Sequence, residues 1–309
     1  KDVKSGVDRF IEEYQRRKAG ESFKIWKSKF SAVGEYISAN VYTVFGESGR
    51  GKSVITIEDL VYMAQQGANV GLWSLEMGSY ETMVRIYTAL SGDLGVTKRL
   101  LDGVNMDAGF SASHIRNGSL SPQEEEAMFT FLRNINEVLP GNLYIRAKDD
   151  PDFTDRSVKG LERDIDEFEL DVIAVDPFYY LHYERNTSKT TGGDAAATSN
   201  KLVELSGQKD VVVIAITQAD STPTEENDEG VREVKVPDRT QVKKTAALLE
   251  DAAILIGVDS DYQQGIAVVG NLKGRNGGEG DISNVVYIPQ YGVVKEIEVG
   301  EDEASKFNF

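Results

Sequence analysis

Phe45-Gly46-Glu47-Ser48-Gly49-Arg50-Gly51-Lys52-Ser53-Val54 is the stretch that decides the fold. Before it, Val41 to Phe45 is apolar and rich in β-formers; after it, Ile55 to Gln66 carries helical periodicity. A G-x-x-x-x-G-K-[ST] spacing between a strand and a helix is the pattern of a phosphate-cradling loop. Its glycines allow a tight turn whose amide N–H groups converge on phosphate oxygens. The helix that follows presents its positive end to the same anion. In such a loop Lys52 is expected to reach the β- and γ-phosphates, and Ser53 to ligate Mg²⁺ through its hydroxyl. Gly46, Glu47, Ser48, Gly49, Arg50, Gly51 and Val54 complete the candidate nucleotide-contacting set, with ATP and Mg²⁺ as the implied ligands. The competing account is a glycine-rich structural turn.

Val70 to Leu75, Leu143 to Arg146, Asp171 to Asp176 and Val211 to Ile216 read as further strands. The continuous apolar runs at 171–176 and 211–216 are of the kind buried on both faces of a parallel sheet. Glu81 to Leu90 and Val158 to Phe168 read as helices, and Ser121-Pro122-Gln-Glu-Glu125 as a capped helix start. Ile254 to Val258, Ile266 to Leu272 and Val285 to Pro289 lie closer together, as hairpin-linked strands do. The pattern predicts an α/β fold with a mostly parallel, doubly wound sheet and antiparallel C-terminal strands. Segments 186–193 (rich in Ser, Thr and Gly) and 219–239 (acidic and aperiodic) read as loops. Both follow candidate active-site strands, where α/β folds place ligand-binding loops, although ordinary surface linkers have the same composition.

Three polar residues are expected at or just past strand ends. Asp176 is suited to hold the Mg²⁺ shell, though any strand end tolerates an aspartate. Glu76, in Ser74-Leu75-Glu76-Met77, is suited to orient and deprotonate an attacking water; the alternative is a helix N-terminal acid set against the dipole. Gln218 is suited to touch the γ-phosphate and report its presence to the adjoining loop, or is simply a polar strand end.

With 309 residues and 40% hydrophobic composition, the chain can bury a sizeable core. No apolar run approaches the roughly 20 residues of a membrane span, so no membrane partner is expected. The absence of cysteine excludes disulfides, thiolate metal sites and a cysteine nucleophile, and fits a reducing cytoplasm. Only His114 and His182 are present, which argues against a histidine-based metal site or triad. The net charge of −17, from 51 acidic and 34 basic residues, argues against a protein that coats nucleic acid. A motor that grips its track through a few loops needs only local positive charge. Val3, Val7, Phe10, Ile11 and Tyr14 share one helical face, and Gly20 is placed to stop that helix. Residues 1–29 are therefore expected to be a linker helix and connector ahead of one large domain over 30–309. So short a helix must dock its stripe, either on its own domain or on a neighbouring subunit. The chain opens at Lys1 without an initiator methionine, as a processed or partial chain does.

In order and spacing, the motifs resemble DnaB-type replicative helicases. The phosphate loop is followed by Trp73-Ser-Leu-Glu-Met77 and by Arg85, then by Ile115-Arg-Asn-Gly-Ser-Leu-Ser-Pro122, Asn142-Leu-Tyr-Ile145 and Asp149-Asp-Pro151. Asp176-Pro-Phe-Tyr-Tyr-Leu181, Ile216-Thr-Gln218, Leu249-Glu-Asp-Ala-Ala253 and Asn271-Leu-Lys273-Gly-Arg275-Asn-Gly277 complete the series. The resemblance implies a RecA-like motor domain in a ring of six, ATP held between subunits, single-stranded DNA in the channel, and a primase or loader as partner. It implies that Lys52, Ser53, Asp176, Glu76 and Gln218 keep the roles given above. Lys273 and Arg275 match the family's Lys-x-Arg, which reaches the neighbour's γ-phosphate; on residue pattern alone they are a solvated basic pair. Lys189 and Lys201 near the first loop, and Arg239, Lys243 and Lys244 near the second, are the candidate DNA contacts, against surface solvation as the alternative. The chain departs from the family in replacing Asp-Tyr-Leu-Gln by Asp176-Pro-Phe-Tyr-Tyr-Leu181, in the acidity before Arg239, and in lacking the amino-terminal helical domain. A shortened, divergent relative, phage-encoded and working in a host cytoplasm, fits those departures. Two other classes share these residues: a non-unwinding RecA-like ATPase such as a recombinase, and a degenerate ATPase serving as loader or scaffold.

Overall fold

A computed structural model describes residues 3–19, 24–101, 103–220, 231–241, 246–274 and 277–297. In chain order the strands are β1 (Ile25–Lys27), β2 (Glu35–Ile37), β3 (Asn40–Gly46), β4 (Asn69–Ser74), β5 (Thr97–Leu101), β6 (Val104–Ala108) and β7 (Asn142–Ala147). They continue as β8 (Val172–Asp176), β9 (Val212–Gln218), β10 (Ile254–Asp261), β11 (Ile266–Gly274), β12 (Ile282–Ile288) and β13 (Val293–Glu296). Nine of them form one sheet in the order β13-β12-β11-β10-β3-β9-β8-β4-β7. From β10 to β7 every neighbouring pair is parallel, whereas β10 through β13 pair antiparallel. This is the expected α/β architecture, with the antiparallel extension at the C-terminal end of the chain.

Side-chain alternation along the central strands builds two cores from one sheet. In β8, Val172 and Ala174 join the helices Lys52–Gln65 and Ser79–Asp93, while Ile173 and Val175 join Val158–Glu167 and Gly193–Lys209. Successive residues of a strand point to opposite faces, so a strand covered on both sides must be apolar throughout. β9 obeys the same rule: Val212, Ile214 and Ile216 go to one core, Val213 and Ala215 to the other. The β1–β2 hairpin seals the first core, with Phe30 and Tyr36 fully buried and Tyr36 packed edge-on to Tyr42 at 4.7 Å.

The helix Val7–Lys18 forms close to its expected place; Gly20 lies outside the described residues. Its apolar stripe faces solvent, with Phe10 72% exposed and Val7, Ile11 and Tyr14 also open. The capped start at Ser121 is a full capping box: Ser121 accepts from the Glu124 amide, and Glu124 accepts from the Ser121 amide. Sequence reading did not single out the β5–β6 hairpin, the Gly193–Lys209 helix or β13. No helix among the described residues is long and apolar enough to cross a membrane.

Candidate nucleotide-binding cleft

The phosphate loop leaves β3 at Gly46, where β10 passes so close that a Cβ would lie 2.2 Å from the Val258 carbonyl oxygen. Glycine alone fits that approach. Gly51 has φ +87°, and a Cβ there would meet the Tyr287 hydroxyl at 2.8 Å. The helix Lys52–Gln65 then begins with no side chain capping its first amides. Those orphan N–H groups and the positive helix end are available to an anion. The antiparallel strands hold the loop from outside. Tyr287 of β12 hydrogen-bonds Ser260 of β10, and Arg50 lies 4.0 Å from Asp259, which Arg232 grips with two bonds of 2.6 and 2.7 Å.

A cleft of about 510 Å³ opens here at the C-terminal ends of the parallel strands. It brings together Ser48 to Val54 of the loop with Glu76, Asp176 and Gln218, from three different strand ends. Glu76 itself lies two residues beyond β4, after a turn set by the Leu75 amide donating to the Asp176 carbonyl at 2.7 Å. Ser74 meets Thr82 at 2.9 Å behind it. Gln218 is the last residue of β9, in register with Gly46. The Glu47 side chain does not line the cleft; its carbonyl accepts from Lys52 Nζ at 2.6 Å.

Burial and charge act against each other throughout the cleft. Burial holds the Lys52 ammonium below the usual lysine range, against the opposing pull of Asp176, Glu76 and Glu47. Burial, with the Glu76 charge, raises the Asp176 carboxyl, offset by a hydrogen bond from Ser53 and by Lys52 and Arg85. Among the described residues no group of three or more His, Cys, Asp or Glu is disposed to hold a metal. Ser53 and Asp176, already hydrogen-bonded, instead form a hard-oxygen pair of the kind that holds Mg²⁺ through waters and phosphate oxygens.

Three further residues line the cleft. Arg85 reaches in from the Ser79–Asp93 helix, beside Glu81 at 3.2 Å; Tyr179 and Tyr287 enter from the turn after β8 and from β12. Arg85 was legible as part of a motif series, but no local pattern marks the tyrosines. Lys273 is elsewhere: its Nζ donates to the carbonyls of Leu249 (3.2 Å) and Glu250 at the end of the helix Ala246–Asp251. Arg275, Lys243 and Lys244 lie outside the described residues. Lys189 is exposed in the 186–193 loop, Lys201 pairs with Glu204 at 2.6 Å on the following helix, and Arg239 opens the short turn Arg239–Gln241.

No model of a known protein family matches the sequence, and no curated protein matches it. Solved structures do match the fold. One, the ATPase domain of a DnaB-like helicase, superposes with a TM-score of 0.71 at 17% identity, covering 96% of this chain and 100% of that one. Another, described as a DnaB-like replicative helicase and its interactions with primase, gives 0.69 at 18% identity, covering 96% of this chain and 67% of that one. The fold is thus that of DnaB-type helicase motor domains, a RecA-like α/β fold.

Proposed function

We propose that the chain is an ATP-driven motor of a replicative DNA helicase, working as a ring of six that translocates on single-stranded DNA. The observation that carries the reading is the convergence of phosphate loop, Ser53–Asp176 pair, Glu76 and Gln218 in one cleft of a helicase-like fold. Loop amides and Lys52 bind the β- and γ-phosphates of ATP, whose negative charge favours the ammonium form that burial opposes. Mg²⁺, held from the protein side by Ser53 and Asp176, would neutralise phosphate charge. Glu76, open to the cleft, orients a water in line with the γ-phosphate and takes its proton. Gln218 senses the γ-phosphate from the strand that leads into the second loop.

The ring is supported by what one copy leaves unfinished. Lys273 lies away from its own cleft, and it and Arg275 are proposed to serve the neighbour's ATP, where a cation stabilises the charge of the transition state. The exposed stripe of Val7, Phe10, Ile11 and Tyr14 is proposed to dock on an adjacent copy. Residues 1–29 are proposed as that linker helix and connector, and 30–309 as the motor. Lys189, Lys201, Arg239, Lys243 and Lys244 are the proposed DNA contacts, and a primase or loader is a further proposed partner. With a net charge of −17, DNA binding has to be local, confined to such loops.

The test is ATP turnover with and without oligo(dT), followed by strand displacement on a forked duplex. Stimulated turnover with displacement is expected. Turnover without displacement would assign a non-unwinding RecA-like ATPase; no turnover would leave a loader or scaffold.

A further inference from the structure

Two cavities meet at the C-terminal ends of the parallel strands. One is the nucleotide cleft. The other, of about 850 Å³, lies between the Asn186–Gly193 and post-β9 loops and is lined by Tyr183, Gly192, Ala196, Asp220 and Ala246 among others. Among the described residues, Tyr179 and Gln218 alone line both. Gln218 is held in the sheet by its register with Gly46. Tyr179 is not in a strand: it sits in the single turn Phe178–Tyr180 directly after Asp176 and Pro177. The turn is anchored from behind, because Phe178 is fully buried and packs on Tyr183 at 5.3 Å. The Tyr180 ring meets Tyr179 edge-on at 5.0 Å. Tyr179 is therefore a partition fixed at its base, with the cavity on one side and Glu76 on the other.

The chemistry of the partition suits a donor. Burial, then the charge of Glu76, then Tyr180 and Asp176, push the phenol up to about 12. At working pH it keeps its proton beside two acidic side chains that accept hydrogen bonds. This is also the segment where the sequence departs from the Asp-Tyr-Leu-Gln run, so its role cannot be carried over from the resemblance.

We propose that Tyr179 is a positioning residue: its hydroxyl orients the Glu76 carboxylate, and its ring transmits occupation of the loop-lined cavity by single-stranded nucleic acid, or by loops gripping it, to the nucleotide cleft. The assignment rests on the ATPase reading of the cleft. It differs from a role for Gln218 in that it acts on the water-orienting acid rather than on the γ-phosphate.

The experiment measures steady-state ATP turnover of the full chain with Mg²⁺, with and without oligo(dT), for wild type, Tyr179→Phe, Tyr179→Ala and Ala196→Leu. Loss of the hydroxyl in Tyr179→Phe should lower kcat about tenfold with KM for ATP within about twofold, since an orienting contact acts on the transition state. The ratio of stimulated to basal turnover should survive in Tyr179→Phe, which keeps the ring, and collapse toward one in Tyr179→Ala, which removes the partition. Ala196→Leu fills the cavity from its far wall and should also lower the ratio; it decides the matter where Tyr179→Ala does not fold by circular dichroism. A wild-type ratio in a folded Tyr179→Ala overturns the assignment while leaving the ATPase reading intact. Wild-type protein that splits no ATP overturns both.

Discussion

At Lys52 two demands conflict: the ammonium must be buried to reach phosphates, and burial disfavours its charge. The Glu47 carbonyl at 2.6 Å holds it ready. Lys52→Ala should reduce ATP turnover by about 10²-fold or more, as loss of a charge-stabilising group does. Glu76→Gln should keep nucleotide bound while slowing hydrolysis by about 10²- to 10⁴-fold; normal turnover in that variant removes Glu76 from its role. Gly51→Ala forces a side chain to φ +87° and toward the Tyr287 hydroxyl. That substitution should lower thermal stability by about 1–2 kcal/mol and weaken ATP binding; an unchanged melting curve with unchanged affinity would contradict the crowding argument. These residues were legible because the loop is contiguous and its spacing encodes its geometry. Tyr179 and Tyr287 were not, because they reach the cleft only after distant strands are laid side by side.

Legibility at the scale of elements followed burial. β8 and β9 announce themselves because both faces are covered and their interiors are apolar throughout. The Gly193–Lys209 helix did not, because much of its buried face is Ala195, Thr198, Ser199 and Ser206, small and half-polar, leaving too weak an apolar stripe. The β5–β6 hairpin was hidden for a related reason: Lys98, Arg99 and a largely exposed Leu100 give no clean alternation. The amphipathic helix Val7–Lys18 was legible in place but not in partner, since a stripe shows what it needs and not which surface supplies it. Its exposure leads to a prediction. Phe10→Asp should leave the melting temperature within about 1 °C, because the ring is 72% exposed, yet weaken ATP-dependent assembly. Sedimentation with ATP and Mg²⁺ checks both arms, and undiminished assembly would exclude this stripe as a contact between copies.

The whole molecule carries a buried charge network between the first hairpin and the helix after the phosphate loop. Lys29 bonds Glu58 at 2.6 Å and Asp93 at 3.0 Å, and Asp59 accepts from Ser28, Tyr36 and the Lys29 amide. Burial raises Glu58 from 4.5 to about 7, although Lys29 opposes it. Burial also acts against the Lys29 charge, but Glu58 and Asp93 outweigh it, so the lysine stays charged. A carboxyl raised on folding binds its proton more tightly in the native state, so its stabilisation is present at low pH and is lost as pH rises through about 7. Chemical denaturation should show stability falling from pH 4.5 to about 7, and Glu58→Gln should remove a share of order 2 kcal/mol of that fall. Identical profiles for the two proteins would place the titration elsewhere.

Assembly is the property on which the functional account depends most, because each cleft is held to borrow its last cation from a neighbour. It is tested most directly by mixing two inactive proteins, Lys52→Ala and the double variant Lys273→Ala/Arg275→Ala, at equal concentration with ATP, Mg²⁺ and oligo(dT). In a randomly mixed ring, roughly a quarter of the boundaries pair an intact phosphate loop with intact neighbouring cations, so turnover should return to about that fraction of wild type. A mixture as inactive as its parts, or a double variant that is fully active alone, would contradict the account.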